Sequence, residues 1–362
     1  MYSEMIKIIE GGMSGDKYRV YSYSQKLIEE LEKENEKLLA KKIQKILEDK
    51  KSTMAIVEQF SGKPVDQESR MDMVQIDMPK ENNLIILDER TNNEINDFIQ
   101  IVKKRSVLLK RGINENMSIL LYGYPGCGKT SIAELIANRL QLPLVTVRFD
   151  TIISSLLGST SKNIRKVFEY ATSKPCILFL DEFDVVAKAR DDKNEVGELK
   201  RVVNTLIQNM DLFINNGGVL IAATNHEELL DNAIWRRFGY VLEIKKPLKK
   251  EIEKYIFQLM EQYHFKLDKE NRIEKLAEVL EGMSYAEIKK VMMVVIKKAV
   301  IKNEEELNYI DIVYEVYVHK KMDIRDEDEL VTFLRKNEVT QLEINQKLNI
   351  SLRKIRGIEG EK

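Results

Sequence analysis

The sequence predicts an α/β core, a parallel sheet flanked by helices, followed by an α-helical domain and bounded by smaller helical segments. Three observations predict it. Short apolar runs ("SILLYG", "PLVTVRF", "CILFLDE", "GGVLIAAT" and "YVLEI") alternate with helical stretches between Ser118 and Ile244. That rhythm suits strands buried on both faces and joined by crossover helices. From Leu248 onward these runs give way to amphipathic patterns such as "KEIEKYIFQLMEQY" and "SYAEIKKVMMVVIKKAVIK", which read as helices packed on one another. Residues 17–50 lack Gly and Pro and are rich in Leu, Ile, Glu and Lys, which marks a separate helical unit.

In chain order, residues 1–50 form the N-terminal helical domain. Leu27, Leu31, Leu38, Leu39, Ile43, Ile46 and Leu47 recur at helical spacing, and the stripe shifts near Glu34–Glu36, dividing two helices. A helical hairpin and a short coiled-coil contact with a partner both satisfy this pattern. Residues 51–83 hold "SGKPVDQES" and "DMPKENN" and read as a turn-rich linker. The α/β domain spans 84–247, the helical lid 248–320, and a C-terminal helical module 321–362.

Lysine and arginine total 58 against 59 acidic residues, a net charge of -1. No global field therefore draws the chain to nucleic acid or membrane. Cys127 and Cys176 form neither a disulfide framework nor a zinc site, which points to a reducing compartment. The N-terminus lacks the apolar core of a signal peptide, and no stretch approaches the ~20 apolar residues of a membrane span. A soluble cytoplasmic protein with no membrane contact is expected.

Gly123–Thr130, "GYPGCGKT", matches G-x-x-x-x-G-K-[ST] between a strand and a helix, the context in which that motif grips phosphates. The glycines let successive N–H groups converge on the phosphates, and the helix N-terminus adds its dipole. Lys129 is expected on the β- and γ-phosphates and the Thr130 hydroxyl on Mg²⁺. "CILFLDEFD" ends a strand on Asp181, for Mg²⁺, and Glu182, for the attacking water. "GGVLIAATN" delivers Asn225 to the same region. The core is thus expected to be a P-loop NTPase that uses ATP and Mg²⁺.

With these motifs in this order, the chain resembles the AAA (AAA+) family of ATPases over roughly Leu84–Lys302. The resemblance implies nucleotide contacts from Pro125, Gly126, Cys127, Gly128, Lys129, Thr130 and Ser131, with Asp181 beside them. In "LLDNAIWRRFGYVLEI" it implies that Arg236 and Arg237 are arginine fingers acting on a neighbour's nucleotide, so that the chain forms a homo-oligomer, a hexameric ring. In "LEGMSYAEIKK" it sets Gly282, Ser284 and Ala286 beside the adenine and ribose, with Tyr285 where the family has a small residue. After the second strand it implies a pore loop at Leu156, Leu157 and Gly158, with Leu156 replacing the usual aromatic. A polypeptide threaded through the ring is the implied load.

The C-terminal "TQLEINQKLNISLRKI" resembles a helix-turn-helix in which Thr340 and Ser351 cap helices and Asn349 makes the turn. In such a fold Ser351, Arg353, Lys354 and Arg356 face DNA; a docked protein is the other occupant. No Ser-His-Asp arrangement and no HExxH motif occurs, so no protease is expected within the chain. The whole resembles bacterial single-module AAA ATPases encoded beside subtilisin-like serine proteases and implicated in phage defence. The expected function is ATP-driven remodelling, unfolding or activation of a protein client, such as a partner protease. The alternative is an ATP-switched regulator bound to DNA.

Overall fold

The computed structural model describes the chain apart from residues 1, 14–19, 21–22, 25, 29, 32–35, 37–38, 44–59, 61, 67–68, 80–84, 155–156, 185–197, 231, 269, 322–325 and 361–362. It divides into two units, Met1–Pro64 and Val65–Lys362. In the first, helix Tyr2–Met13 precedes helical segments whose Leu27, Leu31 and Ala40 are buried, with Ile8, Ile28 and Ile43 packed on them. That first helix contains Gly11 and Gly12, which weaken a helix by roughly 1 kcal/mol each relative to Ala and hide it from a reading of periodicity.

The second unit holds a six-stranded sheet: β1 Val74–Asp77, β2 Ser118–Gly123, β3 Leu144–Val147, β4 Ile177–Leu180, β5 Val219–Thr224 and β6 Tyr240–Ile244. Their order is β1-β3-β4-β5-β2-β6. All neighbours are parallel except β1, which pairs antiparallel with β3, Val74 opposite Val147. Strand β1 lies inside the stretch expected to be a linker, so 51–83 is not linker throughout. Four residues with mixed polarity carry no strand signal of their own; the β3 edge supplies it.

β2, β4 and β5 are buried almost throughout, as strands covered on both faces must be. Helices Glu89–Lys103 and Lys129–Leu140 pack on one face through Ile95, Phe98, Ile132 and Ile136. The register sets Leu121 of β2 beside Ala223 of β5, and Ala222 beside Leu180 of β4. The carboxyl ends of β2, β4 and β5 therefore finish side by side.

After β6 the chain is helical: Lys249–Gln262, Ile273–Leu280, Tyr285–Lys302 and Tyr309–Lys321 form the lid. Strands do not stop altogether, because Lys266–Leu267 and Glu306–Leu307 make a small parallel pair. The C-terminal helices Glu327–Lys336, Gln341–Leu348 and Leu352–Gly360 bury Leu334, Ile344 and Ile355 in the same core as the lid's Leu276, Ile312 and Val316. Tyr309 Oη donates to Asn337 O at 3.0 Å across that junction. An ion pair between Lys347 and Asp311 also spans it. Residues 326–360 extend the lid's core rather than making one of their own.

Candidate active site

The phosphate loop runs from the end of β2 into helix Lys129–Leu140, leaving Tyr124, Pro125 and Gly126 exposed. Two glycines are sterically required. Gly123 has φ +128°, and a Cβ there would lie 2.3 Å from Ile244 O. Gly126 has φ +74°, and a Cβ would lie 2.8 Å from Ala286 Cβ and 2.9 Å from Ser284 Oγ. The loop thus passes directly under the start of the lid helix.

Lys129 is only 7 % exposed. Its ammonium donates to Gly123 O at 2.6 Å and Tyr124 O at 2.8 Å, and burial draws its pKa below the ordinary lysine value. Ser131 follows on the first helical turn, half-buried. The Cys127 thiol is buried, which pushes its pKa up and leaves a neutral, apolar surface.

Thr130 Oγ1 donates to Asp181 Oδ2 at 3.0 Å, joining the loop to the end of β4. Glu182 is exposed and holds φ +51°, a conformation that costs a non-glycine residue roughly 1–3 kcal/mol. Its N–H donates to Asp181 Oδ1 at 2.9 Å. The next turn is fixed by Phe183 N–H to Ala223 O and by Thr224 Oγ1 to Asp184 Oδ1. Asn225 follows β5 directly and is half-buried. The motif residues of three strands therefore converge at the carboxyl end of the sheet.

The residues present suit the expected ligands. A hydroxyl and a carboxylate in contact are a fitting oxygen pair for Mg²⁺, which takes few protein ligands and keeps water and phosphate oxygens. Among the described residues no group of three or more His, Cys, Asp or Glu could hold a metal without such help. An exposed glycine loop opening a twelve-residue helix suits phosphates.

The lid begins on the loop. Ser284 caps helix Tyr285–Lys302 in a reciprocal box with Glu287, and Ala286 N–H donates to Gly126 O at 3.1 Å. Gly282 contributes its carbonyl to Lys246 Nζ at 2.7 Å, while the same ammonium lies 5.0 Å from the Tyr124 ring centre. The backbone and side-chain hydrogen bonds that Ser284 gives Glu287 hold that carboxyl below its ordinary value against its partial burial.

The two arginines differ. Arg237 is tied down: its guanidinium reaches Asp211 at 3.3 Å and Ala233 O, and its carbonyl accepts from Asn116 Nδ2. Arg236 is exposed, and among the described residues its guanidinium makes one hydrogen bond, Nε donating to Asn232 O at 3.2 Å. Beside them Trp235 makes an edge contact with Tyr122 of β2, ring centres 5.1 Å apart. Sequence reasoning passed over Tyr122, Trp235 and Lys246, because their partners lie far along the chain.

Leu156 lies outside the described residues, and Leu157 and Gly158 open helix Leu157–Thr172. In the C-terminal segment Asn349 takes φ 56°, Thr340 caps with Glu343, and Lys354 N–H donates to Ser351 Oγ. Ser351, Arg353, Lys354 and Arg356 are exposed. Lys354, however, pairs with Glu327 of the first C-terminal helix, and Arg356 Nε donates to Gln341 Oε1 at 3.3 Å.

Residues 119–246 match the family described as ATPase family associated with various cellular activities (AAA). An uncharacterized AAA family ATPase of Sinorhizobium fredii is 36 % identical over 289 residues, covering 78 % of this chain and 85 % of that one. The chain is an AAA family ATPase. The ATPase is also 32 % identical over 213 residues to a proteasome-activating nucleotidase of Methanosphaerula palustris, with 57 % of this chain covered and about half, 51 %, of that protein. The crystal structure of the FIGL-1 AAA domain shares the fold of this ATPase, with a TM-score of 0.56 at 18 % identity, over 73 % of this chain and 91 % of that domain. Among the described residues no helix is long and apolar enough to cross a membrane.

Proposed function

We propose that this ATPase works as a homo-oligomeric, hexameric ring in the cytoplasm that spends ATP on remodelling, unfolding or activating a protein client. In this reading Gly126, Gly128 and the N–H groups up to Ser131 receive the phosphates, with Lys129 turning from its loop carbonyls to them. Thr130 and Asp181 hold Mg²⁺, which supplies charge neutralisation on the phosphate oxygens. Glu182 accepts a proton from the attacking water while Asn225 orients that water.

The observation that carries the oligomer is the exposed Arg236, whose guanidinium is held only through Nε to Asn232 O among the described residues, while Arg237 is occupied by Asp211 and Ala233. We assign the trans-acting finger to Arg236 and a strut to Arg237. A finger supplied in trans accounts for roughly 10³–10⁵ in rate in comparable enzymes. Arg236→Ala should therefore abolish turnover without altering the melting temperature, and Arg237→Ala should lower that temperature. Mixing Arg236→Ala with Lys129→Ala subunits should restore hydrolysis, since each supplies what the other lacks; mixtures as inactive as their components would refute a trans finger.

Similarity to a proteasome-activating nucleotidase supports a protein load. A partner serine protease, in phage defence, is the specific client class we favour. Glu182→Gln, tagged in its native host and isolated with ATP, should retain the client that the wild type releases; retention equal in ADP would argue against an ATP-driven motor. A second reading, a DNA-bound regulator, draws on the turn at Asn349 and the exposed Arg353 and Arg356. It requires that Arg353→Ala with Arg356→Ala weaken DNA binding and flatten its salt dependence.

A further inference from the structure

A cleft of about 310 Å³ opens beside the phosphate loop, within the range of roughly 300–1,000 Å³ in which small ligands bind. Cys127 of the loop lines it together with Ile86, Thr91, Tyr122, Lys246 and Tyr285. The cleft adjoins the phosphate loop, since Cys127 belongs to both, so a nucleotide whose phosphates lie on Gly123–Thr130 can reach it with its base. The wall contributed by Ile86 carries a backbone carbonyl, the acceptor that an exocyclic amine on a base requires.

That carbonyl is already used. Tyr285 Oη donates to Ile86 O at 3.0 Å across 199 residues of chain. The ring is held from the side by Tyr255, centres 4.9 Å apart at 75°. Its backbone neighbour Ala286 is bonded to Gly126 O at 3.1 Å. One residue at the start of the lid helix therefore connects the segment before helix Glu89–Lys103, the lid and, through its neighbour, the phosphate loop. We propose that Tyr285 is an internal competitor for the nucleotide base: its hydroxyl holds the Ile86 carbonyl until the base displaces it, so that base binding releases a latch between lid and core. The inference rests on the nucleotide reading of the phosphate loop. Burial raises the pKa of the phenol above its ordinary value, so at neutral pH it remains a donor.

A competitor weakens every nucleotide that must displace it, by the worth of one neutral hydrogen bond. That corresponds to roughly two- to tenfold in affinity. Tyr285→Phe keeps the ring against Tyr255 and removes only the hydroxyl. In equilibrium titrations of the full chain with the fluorescent analogue mant-ADP, Tyr285→Phe should bind roughly two- to tenfold more tightly than wild type, with faster association. Tyr285→Leu, which also removes the ring, should bind at least as tightly as wild type. If Tyr285→Phe binds no more tightly than wild type, the latch is wrong. Weaker binding by Tyr285→Leu would mean that the ring stacks on the base and helps it, which also overturns the proposal. Lys129→Ala separates the two levels: it should lose mant-ADP. If it binds as wild type does, the phosphate-loop reading fails, and the latch with it.

Discussion

At the proposed phosphate site, the candidate groups come from one loop and from the ends of β4 and β5, strands that lie side by side. At the proposed base end, Ile86, Tyr122 and Lys246 come from separate segments of the α/β core and Tyr285 from the lid. The difference teaches where function is fixed and where it is tunable. Loop glycines and a helix start define phosphate geometry within a few residues. The base end depends on how the lid sits, so a single side chain there can set affinity without touching the chemistry.

Three substitutions test this contrast. The largest effect belongs to the phosphate end. Glu182→Gln should lower turnover by roughly 10²–10⁴ while mant-ADP affinity stays at the wild-type value. A loss of affinity as large as the loss of rate would mean that Glu182 supports the fold of the loop rather than the reaction.

Next comes the lid that carries the base end. Ile344 is fully buried in the core shared by the lid and the C-terminal helices. Ile344→Ala should cost about 2–5 kcal/mol and lower the melting of the lid as a whole, with nucleotide affinity falling alongside. A C-terminal transition that melts by itself, leaving the lid and mant-ADP binding untouched, would restore the picture of a separate module.

The smallest effect belongs to the cap that joins the two ends. Ser284→Ala should destabilise by about 1 kcal/mol. The Glu287 carboxyl in that box sits below its ordinary 4.5 in the folded chain. A depressed carboxylate stabilises the fold above its unfolded pKa, and that contribution is lost as pH falls through the lower folded value. The gap between wild type and Ser284→Ala should therefore be full at neutral pH and narrow below pH 4.5. A gap that widens on acidification would reverse the assignment.

Much of this is legible in the sequence. All five strands from Ser118 to Ile244 announced themselves as apolar runs, most clearly β2, β4 and β5, because a strand buried on both faces must be apolar throughout. The Thr340 cap and the Asn349 turn were legible for the same reason of locality: a side chain within three residues serves the helix end, and Asn tolerates the left-handed region. β1 was not legible, since Val74–Asp77 acquires its strand only against β3. The separateness of the C-terminal helices was overstated because amphipathic spacing gives a buried face but not its partner. Tyr285 could be flagged as a bulky residue where the family has a small one, yet nothing in its neighbours points to Ile86.

The sequence by itself determined the phosphate-binding loop, the acids after β4 and the paired arginines, because each is a short stretch whose chemistry follows from residue type and spacing. Tertiary structure decided which arginine is tied down, which helices share a core and what fills the base end of the cleft. Those outcomes depend on contacts such as Arg237 with Asp211, Ile344 with the lid, and Tyr285 with Ile86. They form between segments brought together only by packing, and no local pattern encodes the distance between them.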